Sequence, residues 1–138
     1  MKRTVAIIGG GTAALFLASF LDKIKFNVVI YEKNKSLGRK FLVAGDGGFN
    51  LTHSEPLDSF KKRYHPVDFM EQALSDFNNQ DMQAWIENLG VSTYVGSSGR
   101  IFPVKGIKPI QVLNAIINQL KRDGVVFKFD HIFTGWTK

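Results

Sequence analysis

The chain has 138 residues, of which 44% are hydrophobic and 22% charged, a composition typical of one globular domain. The absence of cysteine excludes disulfides, thiolate metal sites and dithiol redox chemistry, and the three histidines lack the spacing of metal ligands, so no metal site is predicted. The net charge is +6, but the basic residues are scattered along the chain, which argues against a nucleic-acid partner.

The first 32 residues follow the order strand, glycine turn, helix, strand and acidic residue. Apolar runs at 4–8 and 28–31 predict strands, and apolar residues near helical spacing predict a helix over 12–23. A secretory signal is the alternative interpretation of this start, but the glycines interrupt its apolar stretch and no cleavage site follows cleanly. No apolar run could span a bilayer either, so we expect no membrane association. The absence of cysteine suits a reducing cytosol, and we expect a cytoplasmic protein. The order predicts a βαβ unit that binds a dinucleotide.

Small residues at the predicted turn have separate physical roles. Gly9 allows the tight turn out of the strand, Gly11 lets a pyrophosphate approach the backbone, and Ala14 lets the helix pack on the strand. Free amides and the positive end of the helix dipole attract phosphates, so Thr12 and Ala13 belong to the predicted site. The alternative is a glycine-rich turn that binds nothing.

Glu32 follows the second strand at the spacing of a ribose-binding acid. Its carboxylate can accept hydrogen bonds from both ribose hydroxyls, and it would repel a 2′-phosphate. This argues against NADP at this particular site.

Residues 33–53 show no sustained periodicity and are predicted to form a long loop. Its basic residues could neutralise a diphosphate, and its glycines could let the backbone approach a flat ring. The alternative for Arg39 and Lys40 is a solvated pair on the surface, and the alternative for the glycines is a plain turn that contacts no ligand. The predicted cofactor-binding residues in this loop are Lys33, Arg39, Lys40, Gly45, Gly47, Asn50, Leu51 and Thr52.

The rest of the chain contains further helices and a hairpin. Apolar stripes predict two helices over 66–89, with Pro66 in the first turn and Phe69 among the core residues. Short strands at 93–95 and 100–102, joined by a glycine-containing turn, predict a hairpin. A helix from Pro109 to a glycine stop at 124 and a return strand over 125–129 complete the pattern.

Several ordered motifs resemble one bacterial family of NAD(P)/FAD-dependent oxidoreductases, the HI0933-like or BaiN-like flavoproteins. The motifs are Gly9-Gly10-Gly11-Thr12-Ala13-Ala14, Tyr31-Glu32-Lys33-Asn34, Gly38-Arg39-Lys40, Gly47-Gly48-Phe49-Asn50-Leu51-Thr52-His53 and Gly99-Arg100-Ile101-Phe102-Pro103. Many family members have Arg-Cys-Asn where this chain has Gly48-Phe49-Asn50, so reaction details are not carried over.

The resemblance implies an α/β fold: a Rossmann-like FAD-binding βαβ core with a parallel sheet, additional helices and a short β-hairpin. It covers the N-terminal portion of family members, so we expect residues 1–138 to be part of a larger FAD/NAD(P)-binding domain that partners with the remainder of the flavoprotein chain. Within it we expect a βαβ unit and cofactor loop over 1–55, a helical and hairpin segment over 56–106, and a helix and return strand over 107–138. Such a part is expected to bind FAD weakly or not at all and to be inactive alone.

The implied function is the FAD-binding part of a flavin-dependent oxidoreductase, with NAD(P)H as a candidate electron donor and a small-molecule substrate that the sequence does not identify. The alternatives are an NAD-dependent dehydrogenase fragment and a non-catalytic basic nucleotide-binding module. No catalytic residue is assigned. His53 is either a proton donor near the flavin or a structural histidine, the second being favoured, and Arg100 either binds an anionic substrate or caps local carbonyls.

Overall fold

A computed structural model describes residues 1–43 and 49–136 of the chain. The helices and strands, in chain order, are β1 (Arg3–Ile8), α1 (Thr12–Phe20), β2 (Phe26–Tyr31), α2 (Arg39–Val43), β3 (Thr52–His53), α3 (Leu57–Lys61), α4 (Val67–Asp76), α5 (Asn79–Asn88), β4 (Thr93–Val95), β5 (Arg100–Pro103), α6 (Pro109–Arg122) and β6 (Val126–Lys128). They form two compact units, one from residues 1–44 and 109–138 and one from residues 45–108.

The first unit contains a parallel sheet with the strand order β1-β2-β6. Val5 pairs with Val28 between β1 and β2, and Val29 pairs with Val126 between β2 and β6. The helix α6 packs against α1 and α2. Buried apolar side chains from the strands and helices form the core, namely Ile7, Leu15, Ala18, Val28, Ile30, Val112, Leu113, Ile116 and Leu120. The predicted α/β fold with a parallel sheet is confirmed.

The second unit combines a small antiparallel sheet, in the order β3-β5-β4, with the helices α3, α4 and α5. The predicted hairpin between β4 and β5 is present, with Tyr94 paired to Phe102. Its turn is closed by a hydrogen bond from the Gly96 amide to the Arg100 carbonyl (2.8 Å), and Gly99 adopts a positive φ of 76°. A capping box between Asn78 and Asp81 begins α5.

Three sequence predictions need correction in detail. The segment 33–53 is not a loop throughout, because it contains α2 and the short strand β3. The first helix ends at Phe20 instead of extending to residue 23, because the Lys23 ammonium donates to the Ser19 carbonyl (3.0 Å) and the Asp22 carboxylate accepts from the Ile24 amide (2.8 Å), which turns the chain. Pro66 is the N-cap of α4, and Phe69 is 78% exposed instead of lying in the core.

Candidate functional site

A cavity of about 940 Å³ lies at the carboxyl ends of β1 and β2, within the first unit. These two strands end side by side, with Ile8 paired to Tyr31. The crevice beyond the carboxyl ends of parallel strands is where α/β folds bind their ligands. The lining residues are Ile8, Gly9, Gly10, Gly11, Thr12, Tyr31, Glu32, Lys33, Asn34, Gly38, Arg39, Lys40, Phe41, Val43, His131, Ile132 and Phe133.

Gly9 and Gly11 form the turn between β1 and α1. Gly9 has a φ of 93°, and its amide donates to the Tyr31 carbonyl at 2.7 Å, which fixes the start of the turn to the end of β2. Gly11 is the N-cap of α1, where no side chain makes a capping hydrogen bond. A Cβ on Gly11 would meet no atom within 4 Å, so this backbone is open towards the cavity. An uncapped helix start with an open approach fits an anionic group such as a pyrophosphate.

Gly10, which the sequence prediction passed over, is the glycine that the fold itself requires. A Cβ at this position would overlap the Leu37 Cδ2 and lie 3.2 Å from the Glu32 Oε2. The Gly10 amide donates to that same carboxylate oxygen at 2.7 Å, and the Gly10 carbonyl accepts from the Gly38 amide at 2.8 Å. The run of three consecutive glycines is the sequence signal that could have indicated this second role.

Glu32 is a buried carboxylate, 8% exposed, at the end of β2. Besides the Gly10 amide it accepts hydrogen bonds from the Asn34 amide (2.8 Å) and from the Asn34 Nδ2 (2.6 Å). Burial acts to raise the pKa of Glu32, but the hydrogen bonds from Gly10 and Asn34 outweigh it and hold that pKa below its ordinary value. The side chain is therefore ionised at neutral pH and lies at the cavity wall.

Basic side chains occupy another part of the same wall. Lys33, Arg39 and Lys40 all line the cavity and are exposed, so they remain hydrated unless a ligand covers them. The position of Arg39 is set by the preceding chain, because a Cβ on Gly38, whose φ is 62°, would lie 2.7 Å from the Leu113 Cδ1 of α6. This close approach of Gly38 to α6 fixes where α2 begins.

The segment after β6 provides lining residues that were not among the predicted site residues. His131 donates its amide to the Glu32 carbonyl at 3.0 Å, and its ring lies 5.6 Å from that of Tyr31. Ile132 and Phe133 are exposed apolar side chains at the cavity. Apolar residues directly after a predicted return strand are the signal that could have identified them.

The other predicted site residues are not among the described residues that line this cavity. Ala13 and Ala14 follow the lining residue Thr12 in the first turn of α1. Asn50, Leu51 and Thr52 belong to the second unit, where the Leu51 amide donates to the Ile101 carbonyl and Thr52 is part of β3. Gly45 and Gly47, with the neighbouring Gly48, lie outside the described residues.

His53 has a partner at each ring nitrogen. Nε2 lies 3.1 Å from the Ser98 carbonyl, and Nδ1 accepts from the Glu55 amide at 3.1 Å. The ring also lies against Gly99, where a Cβ would come within 2.7 Å of it. These contacts support the structural interpretation of His53. Arg100 is exposed on β5, and both interpretations of its side chain remain predictions.

Within residues 1–43 and 49–136, no group of three His, Cys, Asp or Glu side chains is arranged to hold a metal ion. No helix in the same described ranges has the length and apolar character needed to cross a membrane.

Residues 3–138 match the family described as the HI0933-like protein Rossmann domain. The chain is 31% identical over 104 residues to a ribosomal RNA dihydrouridine synthase of Haemophilus influenzae, covering 75% of this chain and 26% of that protein. It is 27% identical over 133 residues to a 3-dehydro-bile acid delta(4,6)-reductase of Clostridium scindens, covering 95% of this chain and 31% of that protein.

The chain thus spans between a quarter and a third of the length of these curated relatives. Among solved structures, it resembles THI4 of Thermovibrio ammonificans with a TM-score of 0.55 and 18% identity, over 93% of this chain and 38% of that one. This likeness shows a shared fold.

Proposed function

The chain belongs to the HI0933-like family, and on that premise we propose that it is the FAD-binding part of a flavin-dependent oxidoreductase. The observation that carries the proposal is the juxtaposition of Gly11, open to the cavity at an uncapped helix start, with the ionised Glu32 at the end of the neighbouring strand. A diphosphate and a ribose are the groups that such a pair recognises in Rossmann folds.

The residues present fit the adenosine diphosphate half of FAD. The backbone at Gly11 would face the pyrophosphate, Glu32 would accept from the adenosine ribose, and Arg39 and Lys40 would offset the phosphate charge. The apolar side chains of Ile132 and Phe133 offer a surface for a flat base. When bound, the flavin would supply hydride or electron transfer, while the protein orients it.

We propose reduction as the direction of the reaction, with NAD(P)H as the hydride donor to the flavin. The names of the curated relatives support the direction of the reaction, since one is a ribosomal RNA dihydrouridine synthase and another is a bile acid reductase. The donor is inferred only from the family resemblance of the sequence motifs. The two names concern chemically different substrates, so the proposal extends to the reaction type and not to a substrate.

The distribution of charge also supports an anionic ligand in the first unit. Among the described residues, that unit carries eleven Lys or Arg and four Asp or Glu side chains, whereas the second carries six and seven. The excess positive charge therefore lies on the unit that contains the cavity. A non-catalytic basic module is the competing interpretation; salt-dependent retention on heparin without affinity for FAD or ADP would favour it.

The direct test is FAD affinity of the Gly11→Val variant, measured by quenching of flavin fluorescence. A side chain here would occupy the open approach to the backbone, so we expect the affinity to fall at least about a hundredfold, equivalent to about 2.7 kcal/mol. Thermal unfolding should change little, because nothing in the described structure lies within 4 Å of the added Cβ.

Ala84→Val, at an exposed position of α5 in the second unit, is the control and should leave FAD affinity unchanged. Equal affinities of the wild-type protein and the Gly11→Val variant would refute the assignment. Tight binding of NAD without any flavin absorbance from the bound protein would instead favour the NAD-dependent dehydrogenase.

A further inference from the structure

The hydrogen-bonding capacity of the Glu32 carboxylate is almost used up within the protein. Oε1 accepts from both the backbone amide and the Nδ2 of Asn34, at 2.8 and 2.6 Å, and Oε2 accepts from the Gly10 amide at 2.7 Å. An ionised carboxylate offers about four acceptor positions, two on each oxygen. Oε1 is therefore filled, and one position remains on Oε2.

The side-chain amide of Asn34 is held in one orientation by charge. Its Oδ1 accepts from the Arg39 Nη1 at 3.1 Å, while its Nδ2 faces the Glu32 carboxylate. A flipped amide would place Oδ1 against the carboxylate and Nδ2 against the guanidinium, and both contacts would then be repulsive. Asn34 thus connects the buried anion to a cation at the cavity wall, and all three residues line the cavity.

We propose that Asn34 is a positioning residue that occupies Oε1 of Glu32, so that the carboxylate recognises a single ribose hydroxyl through Oε2. This inference rests on the proposed function, because it concerns the ribose of the adenosine half. It replaces the sequence expectation that Glu32 accepts from both hydroxyls with a selective contact to one of them.

The test compares the affinities of ADP, 2′-deoxy-ADP and 3′-deoxy-ADP for the protein by isothermal titration calorimetry. A hydrogen bond to a sheltered carboxylate contributes about 1.5–3 kcal/mol, so the analogue that lacks the recognised hydroxyl should bind about ten- to a hundredfold more weakly than ADP. The other analogue should stay within about threefold of ADP. Equal losses for both deoxy analogues, or no loss for either, would overturn the inference.

An Asn34→Ala variant tests the positioning role itself. Removing the amide opens one acceptor position on Oε1, while the backbone amides of Gly10 and residue 34 still hold the carboxylate. We expect the second hydroxyl to gain a contact, so the difference between the two deoxy analogues should shrink to about threefold or less. An unchanged difference would show that Asn34 does not set the selectivity.

Asn118→Ala, at an exposed position of α6, is the matched control and should keep the wild-type pattern. The affinity of ADP for the wild-type protein separates the two levels of the proposal. A wild-type protein that binds ADP but does not discriminate between the two deoxy analogues would contradict only this inference. A wild-type protein that does not bind ADP at all would overturn the proposed function and this inference with it.

Discussion

At the scale of single residues, Gly10 and Gly11 are adjacent in sequence, but the surroundings of an added side chain differ at the two positions. A Cβ on Gly10 would meet Leu37 and Glu32, whereas a Cβ on Gly11 would enter open space. Gly10 is therefore fixed by packing inside the protein, and Gly11 is available to a ligand. Substitution of the two glycines should therefore have different effects on the free energy of unfolding.

We expect Gly10→Ala to lower the free energy of unfolding by about 1–3 kcal/mol, because the added methyl group overlaps a packed side chain. Gly11→Ala should change it by less than about 1 kcal/mol, since its φ of −78° is ordinary and the space is open. Urea unfolding of both variants measures the two values. Similar losses for the two variants would contradict this division of roles.

Sequence reasoning could predict where Gly9, Gly11 and Glu32 lie, at the turn after β1 and at the end of β2, because these places follow from a local pattern with fixed spacing. The run of three glycines could indicate a constraint at Gly10 but not its cause. The contacts of Gly10 with Leu37 and of Asn34 with Glu32 arise only in the folded chain. Leu37 approaches Gly10 only because the segment after β2 folds back over the turn, where the Gly38 amide donates to the Gly10 carbonyl.

At the scale of elements, the periodic helices were predictable and the single-turn helices were not. α4, α5 and α6 have 10, 10 and 14 residues and carry apolar side chains through more than two turns. α2 and α3 have five residues each, too few for a repeat to show. α2 exists because Gly38 starts it, with hydrogen bonds from the Phe41 and Leu42 amides to the Gly38 carbonyl.

In the second unit, the buried Asn79 joins α5 to the end of β3 and to the residues directly after it. Its Nδ2 donates to the carbonyl oxygens of His53 and Glu55, at 2.7 and 2.9 Å, and its Oδ1 has no partner among the described residues. The amide is 1% exposed, so its two donors cannot be replaced by bulk water. This one side chain therefore donates to two backbone carbonyls of another element and its following residues.

Asn79→Asp should lower the free energy of unfolding by about 3 kcal/mol or more at pH 7, because it removes both donors and turns a buried carboxylate towards two carbonyl oxygens. Part of the loss should be recovered as the pH falls and the new carboxyl group is protonated. Gln80→Glu, at the next and exposed position of α5, is the control and should be near neutral. A loss no larger than that of the control, measured by urea unfolding at pH 5 and pH 7, would show that Asn79 does not hold this segment.

At the scale of the whole molecule, the net charge of +6 is shared unequally between the two units. The fold gathers separated stretches of chain into each unit, and the basic excess falls on the unit with the parallel sheet. Most of this excess is visible in the sequence, because residues 1–43 carry eight Lys or Arg and two Asp or Glu side chains. Residues 109–136, which include α6 and β6 and belong to the same unit, add three and two. The positive electrostatic potential of that unit therefore attracts anionic ligands to its cavity.

We expect the affinity of ADP to fall about three- to tenfold when the ionic strength rises from about 0.05 to about 0.5 M, since the Debye length shortens to a few ångströms over this range. Lys33, Arg39 and Lys40 are exposed at the cavity, so their attraction for a diphosphate is open to screening by salt. Adenosine, which lacks the phosphates, should bind with nearly the same affinity at both salt concentrations and serves as the control ligand. Equal salt dependence for ADP and adenosine in parallel titrations would mean that the cationic wall does not contact the phosphates, and it would leave the helix start at Gly11 as their remaining site of attraction.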